Sequence, residues 1–171
     1  MNRPEKNEYD PYYETYVSLV GDEDIVDILE RQASEVQEFF AAIPEEKGPY
    51  AYAEGKWSIK ELLSHIIDGE RMFMYRIFRI SRADKTPIEG FEQDGYIENA
   101  RANSRRFADL LDEFAALRRA NIIAYRNFSD EDWGRTGTAN ELEITSRALA
   151  YIMAGHVTHH LNILKTRYLA G

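Results

Sequence analysis

Four segments of the chain repeat their apolar residues at the three- and four-residue spacing of an amphipathic helix, and no segment shows the alternation typical of a strand. The spacing predicts helices over about residues 24–43, 59–81, 99–127 or 104–127, and 145–169. Each apolar stripe must be buried against another, and a chain of 171 residues is long enough to do so in one core. We therefore predict an all-α fold, a four-helix bundle formed by a single domain over residues 1–171.

The second helix has the clearest start signal. The stretch WSIKEL places Ser58 at the N-cap and Glu61 three residues later, which is the pattern of a capping box. Trp57 and Leu62 flank this box as a hydrophobic staple. The helix is expected to begin at Ile59, with Trp57 and Ser58 serving the structure rather than the chemistry.

The connecting segments carry few signals of regular structure. Residues 1–20 are rich in tyrosine and predict an irregular segment over the domain surface. Residues 83–96 contain Pro87, Gly90 and Gly95 and predict a long loop, of a kind that is often functional. The stretch SDEDW predicts a short capped turn, and GRTGTANELEIT a loop with at most a brief extended piece.

Composition excludes several classes of function. The chain has no cysteine, which removes cysteine nucleophiles, cysteine zinc sites and disulfides. Its formal net charge of −9 argues against nucleic acid as a partner. We interpret the arginine pairs at 105–106 and 118–119 as solvated helix faces, because acidic residues surround them. No signal core or membrane span is evident, so we expect a cytoplasmic protein that does not bind membranes.

Three of the four histidines lie in the stretch AGHVTHHLNIL of the last predicted helix. His156 and His160 fall inside its apolar arc, one turn apart, while His159 falls at the edge. Such a pair can bind one metal ion, or it can be a pair of core histidines satisfied by hydrogen bonds, and the spacing leaves both open. His65, the fourth histidine, flanks the apolar stripe of the second helix, and Asp68 either orients its ring or is a surface carboxylate.

Three stretches, GKWSIKELLSHIIDGERMFMYRIFRI, GFEQDGY and ALAYIMAGHVTHHLNIL, together resemble the DinB-like superfamily, especially its YfiT-like metal-dependent branch. The resemblance extends from about residue 20 to the end of the chain. It implies an up-down-down-up four-helix bundle, commonly a homodimer, that holds zinc or nickel with three histidines. Residue by residue, it implies His65, His156 and His160 as the metal ligands.

The resemblance says less about the neighbouring polar residues. His159 matches a position that is often histidine without being a ligand. Asp68 and Glu70 match acidic residues that follow the first ligand, and neither is assigned to the metal. Asp94, in the stretch FEQDGY, is a residue that could approach the site.

The resemblance also implies an activity. Members of the family include S-transferases that use bacillithiol, mycothiol or glutathione, and a mycothiol-dependent isomerase. Three histidine ligands leave a coordination position open, where a cation lowers the pKa of water to about 7 or stabilises a thiolate. The favoured function is therefore S-transfer of a low-molecular-weight thiol to a small-molecule substrate. The alternatives are a metal-dependent hydrolase and a non-catalytic, metal-binding dimeric bundle.

Overall fold

The computed structural model describes residues 3–169. Its helices and strands, in chain order, are α1 (Glu14–Val17), α2 (Ile25–Ala41), α3 (Ile59–Ser81), α4 (Gln93–Ala100), α5 (Phe107–Tyr125), α6 (Asp130–Gly134), β1 (Thr136–Ala139), β2 (Leu142–Thr145) and α7 (Ser146–Ile163). A 3₁₀ turn precedes α1 at Pro11–Tyr13, and a π-helical turn follows α7 at Leu164–Tyr168. None of the described helices combines the length and apolar character needed to cross a bilayer.

The four long helices α2, α3, α5 and α7 form the bundle, and contacts along them give their directions. The pairs lie in these helices or just beside their ends: Trp57–Tyr168 and Gly69–His156 for α3 against α7, Glu30–Arg126 and Gln37–Leu111 for α2 against α5, and Lys60–Arg105 and Arg71–Glu113 for α3 against α5. In the first two sets the residue number rises on one helix as it falls on the other, so α3 is antiparallel to α7 and α2 is antiparallel to α5. In the third set both numbers rise together, so α3 and α5 are parallel. The helices α2, α3, α5 and α7 therefore run up, down, down and up, which confirms the predicted bundle.

Helix α3 begins where its capping box predicts. The backbone N–H of Glu61 donates to Ser58 Oγ at 3.2 Å, and the backbone N–H of Ser58 donates to Glu61 Oε2 at 2.7 Å. Ser129 and Asp132 form the same reciprocal pair at the start of α6, where a short capped turn was expected. Both boxes satisfy N–H groups that the first helical turn leaves without partners.

The connections contain more regular structure than predicted. Strands β1 and β2 form an antiparallel hairpin whose turn residues, Asn140 and Glu141, have positive φ angles of 53° and 65°. Such a turn normally contains glycine at its second position, so its sequence signal was absent here. Helix α4 occupies residues 93–100, inside and beyond the predicted loop; it buries a single apolar residue, Ile97, and so has no apolar stripe to reveal it.

The N-terminal segment is also more ordered than expected. Helix α1 packs along α7 with Val17 fully buried, and Tyr9 joins the same apolar cluster. The contact is close because Gly155 of α7 has no side chain: a Cβ atom there would lie 2.1 Å from the carbonyl oxygen of Tyr16. Residues 3–20 therefore form part of the wall of the bundle.

A polar layer divides the bundle core into two apolar clusters. It contains Glu70 and Arg118, whose side chains are both 0% exposed. The Arg118 guanidinium donates to both oxygens of Glu70, to the carbonyl of Leu29 and to Gln32 Oε1. Gln32 in turn donates from Nε2 to the carbonyl of Ala154 at 2.8 Å, which ties the layer to α7.

The expected solvent exposure of Arg118 is therefore wrong. Position 118 lies four residues after Phe114 and seven after Leu111, both buried, and so falls on the apolar stripe of α5. Arginine is tolerated at this buried position because its charge is paired with the buried Glu70 carboxylate of α3. Arg106 and Arg119 are exposed, as expected of a solvated face, and Arg105 is partly buried.

Candidate metal centre

Helices α3 and α7 bring three histidines to one point inside the bundle. The Nε2 atoms of His65 and His156 lie 2.8 Å apart, and those of His156 and His160 lie 3.0 Å apart. All three side chains are buried, and each offers a ring nitrogen within 4.8 Å of the others. Among residues 3–169 this is the one group of three metal-binding side chains that converges in this way.

Burial keeps the three rings neutral. It lowers the pKa of His65 to about 4, an effect that the Asp94 carboxylate partly opposes. The pKa of His160 falls to about 3, through burial and then through the neighbouring His65 and His159. The pKa of His156 lies well below its ordinary value for the same reasons, burial first. At neutral pH every ring therefore has a lone pair available for a ligand bond.

The geometry fits a divalent cation. A ring nitrogen carries either one proton or one lone pair, so His156 Nε2 cannot form hydrogen bonds with both His65 Nε2 and His160 Nε2. A cation between the three rings accepts a lone pair from each. Tetrahedral Zn–N bonds of about 2.0–2.1 Å place ligand nitrogens about 3.3 Å apart, so the observed contacts need to widen by only a few tenths of an ångström.

Neighbouring groups leave little freedom to two of the rings. Trp57 packs on His65 with a centroid separation of 4.8 Å, while Tyr16 and Phe73 contact the edges of His156 at 5.6 Å. Gly69, in the middle of α3, makes room for His156: a Cβ atom there would lie 3.1 Å from its Cε1 and 3.2 Å from its Nδ1. A glycine inside a helix costs about 1 kcal/mol relative to alanine, and this contact accounts for its use.

The other predicted polar residues are placed differently. His159 is half-buried and its ring meets Tyr16 edge to face at 5.5 Å, outside the cluster of three. Asp68 is half-buried and faces Arg71 at 3.8 Å, which agrees with the interpretation as a surface carboxylate. Glu70 points into the polar layer. Asp94, on α4, lines a cavity together with His160 and so approaches the site.

Two cavities meet the histidine cluster. The smaller, of about 170 Å³, is lined by His65 and His156 together with Tyr12, Tyr13, Tyr16, Gly69, Phe73, Arg76, Gly90, Phe91, Gln93 and Asn140. The other, of about 330 Å³, is lined by His160 with Tyr52, Gly55, Lys56, Trp57, Leu62, Asp94, Ile163 and Tyr168. A larger groove of about 620 Å³ between α2 and α5 contains no histidine.

Sequence reasoning missed several residues of the smaller cavity. The tyrosines at 12, 13 and 16 were assigned to an irregular surface segment, and Asn140 to a loop. Arg76 had a usable signal, because it lies eleven residues after His65 and seven after Gly69 on α3. Both intervals are close to whole numbers of helical turns, so the three residues share one face.

The comparisons with known proteins agree with this fold. The sequence model of the DinB superfamily matches residues 28–164. The solved structure of YfiT from Bacillus subtilis, described as a probable metal-dependent hydrolase with an unusual four-helix bundle topology, is similar with a TM-score of 0.75 and 14% identity over 82% of each chain. A mycothiol-dependent maleylpyruvate isomerase is similar with a TM-score of 0.68 and 13% identity, over 81% of this chain and 58% of that one. A search of curated proteins found no match.

Proposed function

The chain belongs to the DinB superfamily, and from this premise we propose that it is a metal-dependent enzyme whose cation is held by His65, His156 and His160. The observation that supports the proposal is the convergence of three neutral ring nitrogens in the bundle core, where His156 Nε2 lies 2.8 Å from that of His65 and 3.0 Å from that of His160. Imidazole suits zinc and nickel alike, and we propose one of these as the natural ion.

The protein contributes position and environment. A cation bound by three neutral histidines would supply a Lewis acid that lowers the pKa of water or of a thiol. Gly69 and Trp57 hold two of the rings, and burial keeps all three unprotonated. Three protein ligands leave room for a substrate atom, as catalytic rather than structural sites do.

We propose S-transfer of a low-molecular-weight thiol as the reaction. Two separate cavities, one on the His65 and His156 side and one on the His160 side, support a reaction between two organic molecules. The chain contains no cysteine, so the thiol must arrive as a cosubstrate. The likeness to a mycothiol-dependent isomerase agrees with a thiol in this fold.

Hydrolysis is the second candidate. The likeness to YfiT, described as a probable metal-dependent hydrolase, favours it. A hydrolase needs one organic substrate and water, so a single cavity would serve it. The expectations of a homodimer and of a cytoplasmic protein remain predictions; sedimentation of the purified chain would test the first.

The metal proposal is tested by loading chelator-treated protein with Zn²⁺ or Ni²⁺ and measuring bound metal by elemental analysis. We expect about one equivalent for the natural sequence and none for His156→Ala or His160→Ala. His159→Ala is the matched control, because it removes an adjacent histidine from the same helix and should still bind one equivalent. Loss of metal from His159→Ala with retention by His160→Ala would overturn the ligand assignment.

The reaction is tested with the loaded protein. Turnover of chlorodinitrobenzene or an epoxide that requires an added thiol would support the transferase. Turnover of an ester or amide without thiol would support the hydrolase instead. Metal binding without either activity would favour a non-catalytic metal-binding bundle.

A further inference from the structure

One buried charge in the bundle has no counter-charge among the residues that the structure describes. Among residues 3–169, the lysine, arginine and acidic side chains that are buried are Lys60, Glu70, Arg76 and Arg118. Lys60 pairs with Glu45, and Glu70 pairs with Arg118. Arg76, 5% exposed, forms no salt bridge with any described residue. An unpaired buried charge is costly, so a fold that retains one calls for a physical reason.

The hydrogen bonds of Arg76 are also incomplete. Its Nε atom is buried and has no partner among the described residues, and its Nη2 atom reaches only the carbonyl of Glu89 at a long 3.4 Å. The guanidinium otherwise lies over the ring of Phe91, 5.9 Å from its centroid. Burial lowers the pKa of Arg76, an effect that the neighbouring Tyr13 partly opposes. The group is a cation with unused donors.

Arg76 also borders the smaller cavity beside the histidines. Arg76 lines that cavity together with His65 and His156, and none of the described residues that line it is acidic. Arg76 lies seven residues after Gly69, about 10.5 Å further along α3 on the same face. Long side chains in helices lean toward the helix N-terminus, so the arginine extends back toward the ring of His156.

The rest of the cavity indicates the size and character of its ligand. Five aromatic residues line the cavity, and Gln93 and Asn140 add neutral polar groups; the aromatic residues are Tyr12, Tyr13, Tyr16, Phe73 and Phe91. The volume is about 170 Å³. An apolar cavity of about 150 Å³ is enough to hold benzene, so there is room for a molecule built on one ring or a short chain.

We propose that Arg76 anchors the carboxylate of a small apolar acid that occupies this cavity. A carboxylate matches the planar fork of a guanidinium and supplies the missing counter-charge. With its acid group at Arg76, the other end of the ligand lies toward His65 and His156. The inference rests on the proposed function for its meaning, since it names the class of substrate offered to the metal centre. Binding itself requires no metal.

The test is calorimetric titration of metal-free protein with benzoate and with benzamide, its neutral analogue of nearly the same shape. The natural sequence is expected to bind benzoate and to discriminate against benzamide. Arg76→Met should weaken benzoate binding about 30-fold, the loss expected for a charge-assisted bidentate contact, and abolish the discrimination. Arg76→Lys keeps the charge without the fork and should lose about tenfold.

Arg119→Met is the matched control, since it removes an equal charge from an exposed position outside both cavities and should bind benzoate as the natural sequence does. Equal binding of benzoate and benzamide, or of benzoate to Arg76→Met and the natural sequence, would overturn the proposal. Displacement of benzoate by inorganic phosphate at lower concentration than acetate would reassign the ligand as a phosphate. Arg76→Lys keeps the test valid if Arg76→Met does not fold.

The outcomes separate this inference from the proposed function. Arg76-dependent benzoate binding by a protein that takes up no Zn²⁺ or Ni²⁺ would support the anion site and contradict the proposal of a metal-dependent enzyme. Metal uptake without discrimination between benzoate and benzamide would support the metal site and contradict the anion site.

Discussion

The buried pair of Glu70 and Arg118 should be the most sensitive polar contact in the bundle. Arg118→Met removes the cation while keeping a long side chain of similar reach. It leaves the Glu70 carboxylate fully buried with one remaining donor, Asn121 Nδ2 at 3.2 Å. It also leaves the carbonyl of Leu29 and the Oε1 atom of Gln32 without the donor they now share.

Breaking a buried pair by removing one partner costs about 3–5 kcal/mol, so we expect the free energy of unfolding to fall by about 4 kcal/mol. For a chain of this size about 3 °C of melting temperature corresponds to 1 kcal/mol, which gives a drop of about 12 °C. Urea unfolding followed by circular dichroism should show an earlier midpoint with an unchanged slope.

The double variant Glu70→Gln, Arg118→Met separates charge from packing. It removes the stranded carboxylate and keeps its shape, so about 2 kcal/mol of the loss should be recovered, while the acceptors at Leu29 and Gln32 stay unmatched. A single variant that loses less than about 1 kcal/mol, or a double variant no more stable than the single one, would refute this explanation of the layer.

Three further predictions concern other parts of the fold. In metal-free protein burial lowers the pKa of His65 to about 4, so between about pH 6.5 and 4 the unfolded chain binds more protons than the folded one. The contribution of this residue to stability should therefore be complete above pH 6.5 and fall by about 3 kcal/mol as the pH drops to 4. Urea unfolding at several pH values measures this fall, which should be missing if the ring is exposed. Gly155→Ala places a Cβ atom 2.1 Å from the carbonyl oxygen of Tyr16 and should cost about 3 kcal/mol in thermal unfolding, whereas Gly95→Ala, with nothing within 4 Å, should change stability by less than about 1 kcal/mol; equal effects would contradict the close approach of α1 to α7. Ser58→Ala should cost about 1 kcal/mol by loss of the α3 cap, measurable by urea unfolding, and Ser58→Thr should restore most of it; an alanine variant as stable as the natural chain would show the cap to be dispensable.

The bundle was predictable because its four helices carry strong periodic signals. Helix α3 begins and ends at the predicted residues, Ile59 and Ser81, since a capping box marks its start. The hairpin was missed because its turn is Asn140-Glu141, which takes positive φ angles without the glycine that normally announces them. Tertiary contacts with Ile88 and α3 hold it in place.

The site was predictable only where one helix contains the pattern. His156 and His160 lie one turn apart on α7, so their shared face follows from spacing. The approach of His65 depends on how α3 packs against α7, which no local pattern encodes; the family resemblance indicated it. Arg118 was interpreted as solvent-facing because acidic residues surround it in the sequence, and its pairing with Glu70 depends on the packing of α3 against α5. Arg76 drew no prediction, although it is buried on α3.

The position of bound zinc tests the account most directly. A crystal of the chelator-treated protein soaked in Zn²⁺, with anomalous data collected at the zinc edge, would locate the ion. We predict a single strong peak about 2.0–2.1 Å from the Nε2 atoms of His65, His156 and His160. A peak bound by His159 or by surface carboxylates, with the three buried rings still in mutual contact, would contradict the central claim.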